Sequence, residues 1–407
     1  MKTIYLDHNA TTPLSPEVLS AMLPVFTEHF GNPSSVHSRG RSARVRIDEA
    51  RERVAGLVNA HPGEIVFTSG GSESDSFAIK GTAFALRDKG RRIITSQTEH
   101  PAVLNACREL AGLGFHTDCL PVDRHGRIDL EQLKAAIRED TVLVTVQHAN
   151  SETGTLQEIE RIAEIARERG VLFHADAVQS VGKIPVDVKK LSPDLLSISA
   201  HKLNGPKGVG ALYIRKGCPK LTPLISGGGQ EKKRRGGTEN VAGIVGFGKA
   251  CELAKERLRS PGTPYLESLR ERLRSLVMER VAGVELFGHP ESRLPNTLSL
   301  AFDGVGGETL LIGLDVEGIC VSAGSACSSG SLQPSHVLSA MGIPAEKINS
   351  SLRLSVGWTN VLEEMETVAE TLARIVRRAR GENTDKAVGR ERAADRLMIR
   401  PDECKLD

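Results

Sequence analysis

Three chemically capable side chains follow apolar runs of this sequence, where strands are expected to end. Asp176 ends the run "VLFHAD", Lys202 follows "DLLSISA", and His100 closes "RRIITSQTEH". A carboxylate at an apolar strand end costs desolvation energy unless a positive group pairs with it. A lysine held in such a place loses its proton more easily and can act as an amine nucleophile.

A glycine-rich turn adds a fourth element. The stretch "FTSGGSES" predicts a strand, a Gly70–Gly71 turn and the start of a helix. The free N–H groups at a helix start suit a phosphate group. The turn is not a Walker A loop, because no Gly-Lys-Ser/Thr follows it.

Each of these features also has an ordinary structural explanation. Asp176 could cap a helix, Lys202 could be a solvated turn residue, His100 could be a structural histidine and Gly70–Gly71 a simple turn. Together they supply a phosphate cup, an acid for a pyridinium nitrogen, a Schiff-base lysine and a stacking ring. Those are the protein parts that pyridoxal phosphate chemistry requires.

The elements that must position these groups alternate along the chain. Apolar strand-like runs and amphipathic helical stretches follow one another over residues 64–215, which predicts an α/β fold with a mostly parallel sheet between helices. Sites in such sheets lie at the carboxyl ends of strands. After residue 260, "NTLSLAFDG", "SSLRLSVGW" and two helices predict a smaller α+β domain.

We therefore expect four segments. They are an N-terminal arm packing with the small domain (1–14), a large cofactor-binding domain (15–258), a small domain (259–380) and a disordered tail (381–407).

Composition excludes several classes of protein. The 407 residues carry a net charge of only +2, which argues against a nucleic-acid-binding or membrane-binding surface. The N-terminus lacks the apolar core of a signal peptide. The seven cysteines form no CxxC pair, so neither a zinc site nor a disulfide framework is indicated, and a reducing cytoplasm is expected.

One cysteine has unusual neighbours. Cys327 lies in "VSAGSACSSGS", whose residues are typical of a mobile, solvated loop rather than of a core. It is either an incidental loop thiol or a reactive one. Cys320, in "EGICV", is expected in the core.

Over residues 4 to 360 the chain resembles the cysteine desulfurases of the NifS/IscS type, and its motifs are most similar to the NifS branch. These are class V aminotransferases with the fold-type I architecture, so the resemblance implies a seven-stranded, mostly parallel sheet. The motifs are "YLDHNATTP", "FGNPSSVHSRGR", "FTSGGSESDS", "TEHPAVL", "HADAVQSVGK", "SAHKLNGPKGVGALY", "GGGQEKKRRGGTEN", "LPNT", "SAGSACSSGSLQPSHVLSAMG" and "LRLSVG".

The resemblance implies a role for each chemical group. Lys202 would bind the cofactor and shuttle the Cα proton, while His100 would stack on the ring. Asp176 would pair with the ring nitrogen, and Gln179 would hydrogen-bond the phenolic oxygen. Cys327 would take the sulfur of L-cysteine as a persulfide and leave L-alanine.

The resemblance also implies contacts to the phosphate and the substrate. Phosphate contacts are expected from Gly71, Ser72, Ser199 and His201. A further contact is expected from Thr238 of the other subunit. A site completed by Thr238 implies a homodimer. Arg353 would clamp the substrate carboxylate. Ser151 stands where the family usually has an asparagine that reaches cofactor and substrate, and we expect a raised KM.

Other functions remain open at this stage. Selenocysteine lyase or cystine C–S lyase could use the same scaffold, although neither depends on a mobile cysteine. A non-catalytic sulfur-relay protein is a second alternative. The sulfur acceptor is expected to be a protein of iron–sulfur cluster assembly or of tRNA or DNA sulfur modification, without direct nucleic-acid binding by this chain.

Overall fold

The computed structural model describes residues 3–260, 262–323 and 334–382. Cys327 and nearly all of the predicted tail therefore lie outside the described residues. The helices are α1 Pro16–Thr27, α2 Ser38–Leu57, α3 Gly71–Ala85, α4 Pro101–Ala111, α5 Leu130–Ala136, α6 Ile159–Glu168, α7 Val188–Leu191, α8 Val241–Arg259, α9 Thr263–Arg280, α10 Gly307–Val316, α11 His336–Ala340, α12 Ala345–Asn349 and α13 Leu362–Ala379. The strands are β1 Ile4–Tyr5, β2 Ile65–Thr68, β3 Arg92–Ser96, β4 His116–Leu120, β5 Thr141–Gln147, β6 Leu172–Asp176, β7 Leu195–Ser199, β8 Gly210–Ile214, β9 Val284–Leu286, β10 Thr297–Phe302, β11 Ile319–Cys320, β12 Ser322–Ala323 and β13 Ser351–Ser355.

A seven-stranded sheet forms the centre of the larger part of the chain. Its strand order is β2-β8-β7-β6-β5-β3-β4. Strands β7, β6, β5, β3 and β4 run parallel, while β8 is antiparallel to both of its neighbours. The predicted mostly parallel sheet of an α/β fold is confirmed.

Burial explains which residues form this sheet. Every residue of β5, "TVLVTVQ", is buried, as expected for a central strand covered on both faces. Helix α6 buries Ile159, Ile162, Ala163 and Ala166, the spacing of one helical face. Helices α2 and α8 approach closely at Gly248: a Cβ atom on this residue would lie 2.7 Å from the Cα atom of Ala50.

A second core forms around a smaller, antiparallel sheet. Its strand order is β12-β13-β10-β9. Helices α9 and α13 pack here, and α13 buries one apolar stripe consisting of Met365, Val368, Ala369, Leu372, Ala373 and Val376. The sheet brings Ser322 of β12 directly opposite Arg353 of β13.

The N-terminal arm runs from this second core to the end of the large sheet. Strand β1 pairs in parallel with β11, and the backbone N–H of His8 donates to the carbonyl of Ser355. A few residues later, the N–H of Thr12 donates to the carbonyl of His201, 3.0 Å away. The arm thus links the small sheet to the turn that carries Lys202.

Across the described ranges, no helix is both long and apolar enough to cross a membrane.

Candidate active site

A cavity of about 240 Å³ opens at the carboxyl ends of the parallel strands. It brings together nine residues predicted from the sequence: Gly71, Ser72, His100, Ser151, Asp176, Gln179, Ser199, His201 and Lys202. Five further residues line it: Ala10, Asp75, Gln147, Ala149 and Val178.

Lys202 is positioned by a single 3-10 turn, Ala200–Lys202, that follows β7 directly. Its ammonium donates hydrogen bonds to the carbonyl oxygens of Asn9 and, at 2.8 Å, Ala10. The arm therefore holds the amine at the cavity through neutral acceptors.

Asp176 ends β6 and is buried. Its Oδ1 accepts a hydrogen bond of 2.9 Å from the backbone N–H of Val178. Burial raises the pKa of Asp176, while His100, the Val178 N–H and Lys202 act in the opposite direction. A cationic ring nitrogen beside this carboxylate would compensate for its desolvation.

His100 caps the N-terminus of α4. Its Nδ1 accepts a hydrogen bond of 3.1 Å from the backbone N–H of Ala102. Since that N–H can only donate, the proton of the neutral imidazole lies on Nε2. Burial lowers the pKa of His100, with Asp176 opposing and Lys202 and His336 adding to the effect, which favours the neutral ring.

The predicted phosphate cup is formed by the start of α3 and the end of β7. A Cβ on Gly71 would lie 2.9 Å from Cγ2 of Val178, so a larger residue at this position would have to displace the Val178 side chain. The hydroxyl of Ser199 is buried and has no hydrogen-bond partner among the described residues. Burial lowers the pKa of His201 to about 4, which leaves a neutral ring whose Nδ1 contacts Oγ1 of Thr11.

Two predicted residues lie outside the cavity lining. Arg353 is buried, and its Nη2 pairs with Oδ1 of Asp7 at 2.8 Å and contacts Oγ of Ser322 at 3.0 Å. Its Nη1 donates to the carbonyl of Ser151 at 3.3 Å, which brings it next to the cavity. Thr238 is exposed and lines a different cleft of about 220 Å³.

Comparison with known proteins decides the family. The aminotransferase class-V family model matches residues 4–368. Cysteine desulfurase IscS of Methanosarcina thermophila is 51% identical over 379 residues, which are 93% of this chain and 93% of that protein. The chain belongs to the cysteine desulfurase family.

Solved structures agree with this assignment. A NifS-like protein superposes with a TM-score of 0.86 at 40% identity, covering 92% of this chain and 99% of that chain. SspA in complex with cysteine superposes with a TM-score of 0.78 at 37% identity, covering 88% of this chain and 100% of that one. The relatives support L-cysteine desulfurase activity with pyridoxal phosphate as cofactor, as the sequence predicted.

The residues of this desulfurase fit that cofactor. The unpartnered hydroxyl of Ser199 and the helix start at Gly71 suit its phosphate, and Lys202 and Asp176 lie on the same cavity. When bound, pyridoxal phosphate withdraws electrons from the substrate Cα and labilises its proton.

The described residues on either side of the segment that contains the desulfurase's Cys327 contact residues close in sequence to the cavity lining. Before it, Oγ of Ser322 contacts Oδ1 of Asp7 at 3.0 Å. After it, Oγ of Ser335 donates to Glu152, and Nε2 of His336 lies 2.9 Å from the carbonyl of Glu99. Of the other cysteines, Cys107 and Cys251 are buried, but Cys119 is exposed and Cys320 is only half-buried, so the expectation that Cys320 lies in the core is wrong.

Sequence reasoning missed a second carboxyl group in the site. Asp75 lines the cavity and is buried, and its Oδ1 has no hydrogen-bond partner among the described residues. Burial raises the pKa of Asp75 well above its ordinary range, and the charge of Asp176 adds to the effect. The sequence feature that could have revealed Asp75 is its position four residues after Gly71, which places both residues on the same face of α3.

Proposed function

We propose that this chain transfers the sulfur of L-cysteine to Cys327 as a persulfide and releases L-alanine. The observation that carries the proposal is the cavity that holds Lys202, Asp176 and His100 together. Of the described residues on either side of the Cys327 segment, Ser322 bonds to Arg353, which bonds to the cavity-lining Ser151, and His336 contacts Glu99, which precedes the cavity-lining His100. We propose that Cys327, four residues after Ala323, reaches a substrate bound there, since four residues of chain can span up to about 13–14 Å.

The proposed step balances without an outside oxidant. The Cys327 thiolate attacks the substrate sulfur and forms the S–S bond. The electron pair of the breaking C–S bond passes to the substrate's β-carbon, which takes a proton and becomes the methyl group of alanine. The enzyme keeps Cys–S–SH, and Lys202 carries the Cα proton.

Arg353 and Ser151 are proposed to bind the substrate carboxylate. The guanidinium donates to the carbonyl of Ser151 and lies between Asp7 and the cavity, which supports this role. A planar guanidinium can donate to a carboxylate through two parallel bonds.

We propose that the active unit is a homodimer. Thr238 lies away from its own chain's cavity, as expected if it serves the neighbour's phosphate. An apolar surface on and after α1 fits a second copy of this chain: Leu19, Leu23, Phe26 and Phe30 are 45%, 55%, 63% and 67% exposed. We define these four residues as the α1 patch.

The remaining assignments rest on the family and on the sequence. We propose a large domain over 15–258, a small domain over 259–380 and the arm over 1–14. The sulfur acceptor is proposed to be a protein of iron–sulfur cluster assembly. The reducing cytoplasm is the proposed location, since a persulfide needs a free thiol.

A single-turnover assay with L-cysteine tests the function. Wild-type protein should release alanine and form persulfide in equal amounts, and Cys327→Ala should lose both. Cys320→Ala is the matched control, because Cys320 precedes the same segment, and it should retain both products. Alanine release that persists in Cys327→Ala would instead indicate a C–S lyase.

A further inference from the structure

A buried lysine, Lys183, shares Asn9 as a hydrogen-bond partner with the cofactor lysine, Lys202, and the mechanism does not use it. Lys183 is 4% exposed. Its Nζ donates to Oε1 of Gln179 at 2.8 Å and to Oδ1 of Asn9 at 3.0 Å. Among the described residues no carboxylate lies within ion-pair distance of it, and both of these acceptors are neutral oxygens.

The contacts of Lys183 determine how the Gln179 side chain is turned. A lysine donates, so the atom that faces it must be the amide oxygen. On the other side, the amide Nε2 of Gln179 donates to the carbonyl of Asn9 at 3.0 Å. Both neighbours require the same orientation of the amide, which settles the assignment of oxygen and nitrogen on chemical grounds.

That orientation decides what Gln179 offers to the cavity it lines. An amide nitrogen carries two N–H groups, and the carbonyl of Asn9 takes one of them. The second N–H is therefore the group available to an oxygen atom bound in the cavity. In the reversed orientation the cavity would meet an acceptor instead.

Burial is consistent with a lysine kept for its hydrogen bonds. Burial lowers the pKa of Lys183 well below its ordinary range, and the charges of Lys202 and Arg353 add to this. Retaining a lysine where an apolar side chain would be easier to bury indicates a role for those bonds.

We propose that Lys183 is a positioning residue of the cofactor site, which locks the Gln179 amide so that an N–H faces the phenolic oxygen of bound pyridoxal phosphate. This inference rests on the proposed function. Without Lys183 only the carbonyl of Asn9 still holds the amide, so the amide turns more readily, and its oxygen would then repel the negatively charged phenolic oxygen. The cofactor would bind more weakly. The pKa of the Lys202 nitrogen bonded to the cofactor would rise, because a phenolic oxygen without a hydrogen-bond donor stabilises the proton on that nitrogen.

The test compares Lys183→Met, Gln179→Leu and the double variant, each loaded with pyridoxal phosphate. Two quantities are measured: the pH midpoint of the cofactor's visible absorbance change and the dissociation constant for pyridoxal phosphate. We expect Lys183→Met to raise the midpoint by about one pH unit and to weaken binding about tenfold, the loss of one hydrogen bond to a charged group. The double variant should match Gln179→Leu, because Lys183 acts through Gln179.

Several results would overturn the proposal. An unchanged midpoint in folded Lys183→Met would do so, as would shifts that add in the double variant, since additive shifts would show that Lys183 acts independently of Gln179. Gln179→Leu gives an independent test should Lys183→Met fail to fold: a midpoint equal to that of wild type means that no N–H of Gln179 faces the cofactor. Wild-type protein that binds no pyridoxal phosphate would instead reject the proposed function together with this inference.

Discussion

Glu99 is the buried acid that immediately precedes His100. Its Oε1 accepts from the hydroxyl of Ser96 at 2.6 Å, and its Oε2 accepts from the backbone N–H of Gln147 at 2.8 Å. Burial nevertheless raises the pKa of Glu99 from its ordinary value of 4.5 to about 8. Its folded form therefore holds a proton over a range of pH in which its unfolded form has lost it.

This shift predicts a pH dependence of stability with a definite sign. Because the folded state binds more protons, the contribution of Glu99 is present below pH 4.5 and is lost as the pH rises toward about 8. Glu99→Gln removes this dependence at nearly constant shape. Urea unfolding at saturating pyridoxal phosphate should show the wild-type free energy of unfolding falling relative to the variant by about 1.4 kcal/mol per pH unit. Parallel profiles would contradict the prediction.

Ser151 is the residue at which this chain departs from its family's pattern. It lines the cavity, and its carbonyl accepts from Asn9 and Arg353. The amide of Ser151→Asn would extend further toward the substrate and add one hydrogen bond of about 1 kcal/mol. We expect KM for L-cysteine to fall about fivefold with kcat nearly unchanged, measured by alanine release.

A matched variant distinguishes the effect of side-chain length from the effect of the hydroxyl group at position 151. Ser151→Ala keeps the short side chain and removes the hydroxyl, so its KM should equal or exceed that of wild type. A KM in Ser151→Asn equal to the wild-type value would refute the explanation.

At the scale of elements, the turn before α8 carries unusual backbone strain. Three successive residues, Glu231, Lys232 and Lys233, have φ values of 45°, 57° and 63°. Left-handed backbone is unfavourable for side chains other than glycine. Glu231 holds the turn in place, since its carboxylate accepts from Arg51 at 2.6 and 2.8 Å and from the N–H of Phe67 at 3.0 Å.

Relieving this strain should stabilise the protein. Lys233→Gly removes the left-handed penalty of about 1–2 kcal/mol, against an entropy cost for glycine of about 0.5–1 kcal/mol. We expect a net gain of about 0.5–1 kcal/mol in urea unfolding. Lys220→Gly, at an exposed loop lysine without positive φ, is the control and should lose stability. Equal effects of the two variants would argue against stored strain.

The elements that sequence predicted best are those with regular apolar patterns. Strands β5 and β6 were predicted from short apolar runs, because both of their faces are buried, and helices α6 and α13 from apolar residues at a period of 3.6. Strand β4, "HTDCL", was missed. It is an edge strand whose residues are mostly exposed or half-buried, so no apolar run marks it.

The site was predictable where a side chain follows a strand and unpredictable where it arrives from far along the chain. Lys202, Asp176 and Gln179 lie near the ends of strands or in the turns after them, so local pattern locates them. Asn9 contacts the site from a position 193 residues before Lys202. Lys183 stood in a quoted motif, but only the three-dimensional structure shows that it contacts Gln179.

At the scale of the whole molecule, the α1 patch predicts how two copies assemble. Phe26→Asp places a charge in that surface and should halve the mass measured by light scattering. Pyridoxal phosphate should then bind more weakly, because the neighbour's Thr238 is lost. Val316→Asp, on an even more exposed apolar residue of α10, should leave the mass unchanged. A dimer that survives Phe26→Asp would place the interface elsewhere.

The N-terminal arm determines when during synthesis the cofactor site can be completed. Asn9 binds Ser355, a residue synthesised 346 positions later. At about 5–20 residues per second, the arm waits roughly 20–70 s on the ribosome for this partner. The set of contacts that holds Asn9 beside Lys202 is complete only once that pairing has formed. The large sheet can fold earlier in translation, but a finished cofactor site requires a nearly complete chain.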